Sequence, residues 1–119
     1  MTTAEIARRL VELCRTAQWE TAQKELYSQK VISIEPHATP AFEKETRGLD
    51  AIIEKGRKFS AMVEQMHALT VSDPIVADNS FACTMRLDAT MKGQGRMTMT
   101  ELCVYEVEGD KIVAEQFHL

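Results

Sequence analysis

The chain has 119 residues, 45% of them hydrophobic, enough for one ordinary core, and it reads as a single domain over residues 1–119. Its 14 Lys and Arg against 18 Asp and Glu leave a formal charge of −4, and no basic run occurs, which excludes a nucleic-acid or anionic-membrane surface as the expected partner. The start Met1-Thr2-Thr3-Ala4-Glu5 lacks the basic and apolar regions of a leader, no apolar stretch approaches the roughly 20 residues that span a bilayer, and a cytoplasmic location is expected. Cys14, Cys83 and Cys103 are odd in number and unpaired by any Cys-x-x-Cys spacing, so they read as reduced core thiols rather than a disulfide or zinc set.

Thr2 and Glu5 stand at capping-box spacing, and Ile6, Leu10, Leu13 and Ala17 follow at helical intervals, which predicts a first helix to about Thr16. Trp19, Ala22, Leu26 and Tyr27 predict a short second helix that makes a hairpin with the first, Trp19 serving as a packing anchor. Val31-Ile32-Ser33-Ile34-Glu35 is a short strand stopped by Pro36, and the polar stretch through Pro40 to Arg47 reads as a loop placed to lie over a pocket mouth. From Gly48, the residues Leu49, Ile52, Ile53, Gly56, Phe59, Met62, Val63 and Met66 draw an amphipathic helix with Glu54, Lys55, Arg57 and Lys58 on its solvent side.

Beyond about His67 the hydrophobic period falls to 2, which predicts a meander of long antiparallel strands. Phe81, Cys83, Met85, Leu87, Ala89 and Met91 alternate with Thr84, Arg86, Asp88 and Thr90, and Lys92-Gly93-Gln94-Gly95 turns that strand around. In the next strand Glu101 shares the parity of Met97, Met99, Cys103, Tyr105 and Val107, so its carboxyl is expected inside, where an acid must pair, accept hydrogen bonds or stay protonated. A second turn at Glu108-Gly109-Asp110-Lys111 leads to the last strand. A two-residue Gly109-Asp110 turn places Ile112, Ala114, Gln116 and His118 on the face of Glu101, whereas a three-residue loop places Val113, Glu115, Phe117 and Leu119 there. The second set is the more apolar and is the one expected, which joins Glu115 to Glu101.

The order of these elements resembles the nuclear transport factor 2-like superfamily, and its nearest branch looks like the SnoaL-like group. The residues that carry the resemblance are Glu25-Leu26-Tyr27, Ile34-Glu35-Pro36, Gly48-Leu49-Asp50-Ala51-Ile52, the run from Gly95-Arg96-Met97 to Tyr105-Glu106-Val107, and Asp110-Lys111-Ile112-Val113. The resemblance implies an α+β fold with helices packed on a curved antiparallel sheet, forming a cone-shaped pocket. It also implies an inward parity for Val113, Phe117 and Leu119. In the related ketosteroid isomerases an Asp before the corresponding Pro is the general base, and Glu35 stands at that place. Their oxyanion donors are a Tyr and a protonated Asp, where this chain has Leu10 and a position near Cys103, and both departures speak against ketosteroid isomerase activity itself.

The expected site therefore comprises Glu101, Glu115 and Glu35 as proton-handling carboxylates, with Tyr105, Cys103, Phe117, Met85, Phe59 and Met62 as ligand-binding walls. Glu35 or Glu115 would act as base and Glu101 as acid, with no cofactor and no metal, on a small hydrophobic or polar-aromatic organic ligand in an isomerase, cyclase or hydratase-type reaction. Each feature also has a plainer use: the two strand carboxylates as a register-fixing polar pair, the acidic residue before Pro36 as turn chemistry, and the seven methionines as core filling. His37, His67 and His118 show no ligand spacing. The opposite sheet face, with Leu102 and Val104 among Thr84, Thr90, Thr98 and Thr100, suits a homodimer through the sheet, and a non-catalytic dimeric binding or assembly module is the alternative to an enzyme.

Overall fold

Helix α1 (Thr3–Cys14) begins as its sequence dictates in the computed structural model, which describes residues 1–119. The Thr2 hydroxyl accepts from the Glu5 amide at 3.1 Å and the Glu5 carboxylate accepts from the Thr2 amide at 2.8 Å, satisfying two otherwise orphaned donors. Ile6, Leu10 and Leu13 face the core, and the helix stops short of Thr16 because Ala17 turns left-handed, at φ 58°. Helix α2 (Trp19–Leu26) follows and buries Ala22 and Leu26. The Arg9 guanidinium bridges the pair, reaching Glu25 at 2.7 and 3.1 Å.

Strand β1 (Tyr27–Ile34) starts immediately after α2 and takes Tyr27, which the helical spacing had placed on the second helix. Tyr27 pairs with Ile112, and aromatic residues suit a half-buried strand, so sheet pairing overrides a helical spacing of one turn. In the stretch expected to be wholly loop, β2 (Glu45–Arg47) pairs as a short edge strand with Ile32–Ile34.

Gly48 caps helix α3 (Leu49–Met62) at φ 93°, a conformation that L side chains rarely adopt, and its amide donates to the Val31 carbonyl at 2.8 Å. A Cβ here would sit 3.9 Å from its nearest neighbour, so space is not limiting. The substitution Gly48→Ala is expected to lower stability by about 1–2 kcal/mol through backbone strain alone, read from the urea midpoint at unchanged slope.

Helix α3 ends at Met62, and Val63 and Met66 belong to strand β3 (Val63–Val71) rather than to the helix. From Val63 the backbone pairs with the long strand that ends at Met91, and Lys92 donates to the Met62 carbonyl at 2.8 Å, so a β-branched residue and a long ladder terminate the helix. The remaining strands are β4 (Ile75–Val76), β5 (Ser80–Met91), β6 (Gly95–Glu108) and β7 (Lys111–His118). They build one curved, open sheet in the order β2-β1-β7-β6-β5-β3, with β4 on β5. The β1–β7 pair is parallel, so the expected antiparallel sheet is in fact mixed. This is the α+β architecture of helices on a curved sheet. Phe81, Cys83, Leu87, Ala89 and Met91 on β5 are buried with the alternation read from the sequence. None of the helices is long and apolar enough to cross a membrane.

The last hairpin resolves the two competing registers by using parts of both. Glu108 pairs with Lys111 across a two-residue Gly109-Asp110 turn, both residues having positive φ (55° and 67°), so the three-residue loop is not formed. A bulge then falls between Glu106 and Val107, and from there Tyr105 opposes Glu115 and Cys103 opposes Phe117. The extra residue on β7 resets the pleat. Ile112 and Glu115, three apart in sequence, are consequently both buried on the face that carries Val107 and Tyr105.

Candidate active site

Between α3, the concave side of β5, β6 and β7, and the 35–42 loop lies a cavity of about 810 Å³. Helix α3 contributes Ile52, Lys55, Phe59 and Met62, successive turns of one face, while Met85, Glu101, Tyr105, Glu115 and Phe117 come from alternating strand positions. The loop residues Glu35, Pro36, His37 and Phe42 form part of its wall. Five of the chain's seven methionines (Met62, Met85, Met91, Met97 and Met99) line it, as does Trp19, which the sequence assigned to helix packing.

All three expected carboxylates meet here, with Tyr105, Phe117, Met85, Phe59 and Met62 beside them. Cys103 does not. It is 1% exposed within the core, between Cys83 on β5 and Phe117 on β7, and Phe117 rather than the shorter thiol reaches the cavity. The structure also brings in three residues that were not expected. Tyr27 and Ser33 both donate to Glu115, Ser33 at 2.8 Å, and Lys55 Nζ donates to Ser33 Oγ at 2.8 Å and to Glu35 Oε1 at 3.0 Å.

Tyr27, Glu115, Ser33, Lys55 and Glu35 thus form one continuous hydrogen-bonded chain across β1, β7 and α3. Lys55, read as a solvent-side residue, has a side chain only 16% exposed and lies 6.0 Å from the centre of the Phe117 ring. Its position three after Ile52 and four before Phe59 is the signal that places it inward. Ser33 was legible too, being in phase with Val31 and Glu35. Tyr27 was hidden by the helical spacing of its neighbours.

Burial sets Glu115 and Glu101 apart from ordinary carboxyls. Glu115 is 3% exposed, and burial raises its carboxyl above the usual range, while Tyr27, Lys55 and Ser33 pull it back. Glu101 has no hydrogen-bonding partner in the chain, and burial pushes its pKa up to about 7, with the charges of Glu35 and Glu115 adding and Lys55 opposing. The Tyr27 phenol is raised as well, by its own burial first and then by Glu115. Tyr105, 2% exposed, stacks on Phe81 with ring centroids 4.8 Å apart. No group of three or more His, Cys, Asp or Glu is arranged to hold a metal ion.

Removing one donor from a buried carboxylate leaves it undersolvated. The substitution Tyr27→Phe is therefore expected to destabilise the fold by about 2 kcal/mol, measured by chemical denaturation at neutral pH, with the secondary structure intact. An unchanged midpoint would mean that the Tyr27–Glu115 bond carries no net weight.

A SnoaL-like domain model matches residues 1–119 of the chain. No curated protein matches it. Among solved structures, a candidate SnoaL-like polyketide cyclase from Mesorhizobium loti superposes with a TM-score of 0.91 at 29% identity, covering 100% of both chains. A Xanthomonas campestris protein of unknown function with a cystatin-like fold gives a TM-score of 0.82 at 19% identity, over 98% of this chain and 89% of the other. A Catenulispora acidiphila protein with a ketosteroid isomerase-like fold, solved in complex with trimethylamine, gives 0.74 at 16% identity, over 99% and 87%. The latter two are similar in fold alone.

Proposed function

Because the chain belongs to the SnoaL-like domain family, we propose that its cavity carries out cofactor-independent acid–base chemistry on a compact organic molecule, of the isomerase, cyclase or hydratase type. The observation that supports this most is Glu101: a carboxyl without a partner in the chain, raised to a pKa of about 7, facing a largely apolar cavity that also holds Glu35 and Lys55. A group poised near neutral pH holds and releases a proton with little driving force either way, which is what general acid–base catalysis requires.

The roles divide by hydrogen bonding. Both oxygens of Glu115 are engaged, by Tyr27 and Ser33, so this residue holds the network rather than acting as base. Glu35 receives Lys55 at Oε1, and its other oxygen is the one assigned to withdraw an acidic proton from carbon or hydroxyl. Protonated Glu101 donates to the oxygen on which negative charge develops, and Tyr105 lines the same cavity farther along β6. Phe59, Met62, Met85 and Phe117 displace water and hold the apolar body of the substrate.

Solvent exchange tests this directly. A benzo-fused ketone such as 2-tetralone, incubated with the protein in deuterated buffer at pH 6, is expected to lose its α-protons about 10³-fold or more faster than in buffer alone, followed by proton NMR. Exchange at the buffer rate while the ketone is demonstrably bound would remove the catalytic reading.

A second reading, a non-catalytic dimeric binding or assembly module, draws support from the outer face of the sheet. Leu102 is 43% exposed there, on the side opposite Glu101, and Val104 is half-buried. Burial of that face between two copies would make a homodimer with or without chemistry in the cavity.

A further inference from the structure

Six of the chain's seven aromatic residues, Trp19, Tyr27, Phe42, Phe59, Tyr105 and Phe117, line the cavity of about 810 Å³. The charged groups among its lining are Glu35, Glu101, Glu115 and a single cation, Lys55. That cation is already committed to Glu35 and Ser33, and it lies over the face of Phe117 at 6.0 Å, so the wall already presents one ring to an ammonium group. Glu115 is satisfied by Tyr27 and Ser33. Glu101 is the carboxyl left without a counter-cation, and Tyr105, 2% exposed, lines the same space with its hydroxyl taken by no other side chain.

We infer that this cavity binds a small hydrophobic ammonium cation, whose charge rests between the Glu101 carboxylate and the aromatic walls. Aromatic faces attract cations through their quadrupole, and a desolvated site strengthens both that attraction and the ion pair with a carboxylate. A neutral molecule of the same shape gains only the apolar contact. The inference goes beyond the acid–base reading: a cation so placed occupies Glu101 and blocks proton transfer, making it a ligand or inhibitor rather than the molecule transformed.

Binding of this kind is linked to protonation. The charges that act on Glu101 are Glu35 just past β1, Glu115 from β7 and Lys55 from α3, with the Cys103 thiol on β6 itself; His37 shares the cavity wall, and β5 offers uncharged Met85 directly opposite. An entering cation favours the ionised form of Glu101, so below pH of about 7 it must expel the proton first. Affinity is expected to be weak at acid pH and to rise with pH until Glu101 is ionised in the free protein.

Isothermal titration calorimetry of the full chain with phenyltrimethylammonium, set against its neutral isostere tert-butylbenzene, tests this. At pH 8 the cation is expected to bind at least tenfold more tightly than the isostere. At pH 6 its affinity is expected to fall about tenfold, with proton release visible as a dependence of the heat on buffer ionisation enthalpy. The Glu101→Gln variant is expected to lose most of the advantage of the cation and the pH dependence with it. Equal affinity for the two probes at pH 8, or cation binding that ignores pH between 6 and 8, overturns the inference. These outcomes are independent of ketone exchange: catalysed exchange without cation preference leaves the acid–base reading standing, and cation preference without exchange leaves only the ligand site.

Discussion

Replacing Glu101 by Gln should slow ketone proton exchange by about 10²–10³-fold while leaving the circular dichroism spectrum unchanged. The side chains are nearly isosteric, so the cavity keeps its shape, but Gln offers only a weak neutral donor and no transferable proton. The parent protein should be most active below pH of about 7 and lose activity roughly tenfold per unit above it, as the Glu101 proton is lost. The variant should show no such inflection. Stability supplies an independent readout of the same residue. A carboxyl whose folded pKa lies near 7, against an ordinary value of 4.5, contributes stability that is fully present below about pH 4.5 and is lost as pH rises through about 7. The Gln variant has no such loss, so at pH 8 it is expected to exceed the parent by roughly 2 kcal/mol after allowance for solvent at the cavity mouth, the difference closing as the pH falls toward 4.5. A variant of equal activity, or one less stable than the parent at pH 8, removes the assigned role.

Replacing Lys55 by Met should raise the Glu101 titration midpoint above its value near 7, because Lys55 is the one charge that favours the ionised form of Glu101. Met retains the stem that packs beside Phe117 and removes only the ammonium. Glu35 and the Ser33 hydroxyl lose their donor, and the raised carboxyl of Glu115 loses a compensating charge as well. The Lys55 and Glu35 side chains are 16% and 24% exposed, so the loss on unfolding is expected to be about 2 kcal/mol rather than that of a fully buried pair. Exchange should fall about 10–100-fold, since the base is no longer held by its ion pair. A midpoint that stays put or moves down would show that Lys55 does not govern Glu101.

The fold was legible because its signals agree with one another: the capping box at Thr2, the apolar face of α3, and the alternation of Phe81 to Met91 all point to helices followed by sheet. Errors arose where a local pattern competed with pairing at a distance. Tyr27 and Val63 continue helical spacings yet are claimed by Ile112 and Met91 across the sheet. The parallel β1–β7 pair had no local mark at all. Glu101 and Glu115 were found by parity, but Glu115 reaches the inside through a bulge that follows the tight turn, a device that the turn residues alone do not reveal. Lys55 was misread because a long charged side chain on a helix is usually solvated; here its neighbours Ile52 and Phe59 show that it lies on the inner stripe.

Carbon-13 NMR of protein labelled at the Glu side-chain carboxyls, recorded from pH 4 to 9 and assigned with Glu101→Gln, bears on the site most directly. One resonance, missing in the variant, should titrate with a midpoint near 7. If the Glu101 resonance instead titrates below about pH 5, like a solvated carboxyl, the cavity does not hold a proton at neutral pH, and the acid–base function proposed for it fails.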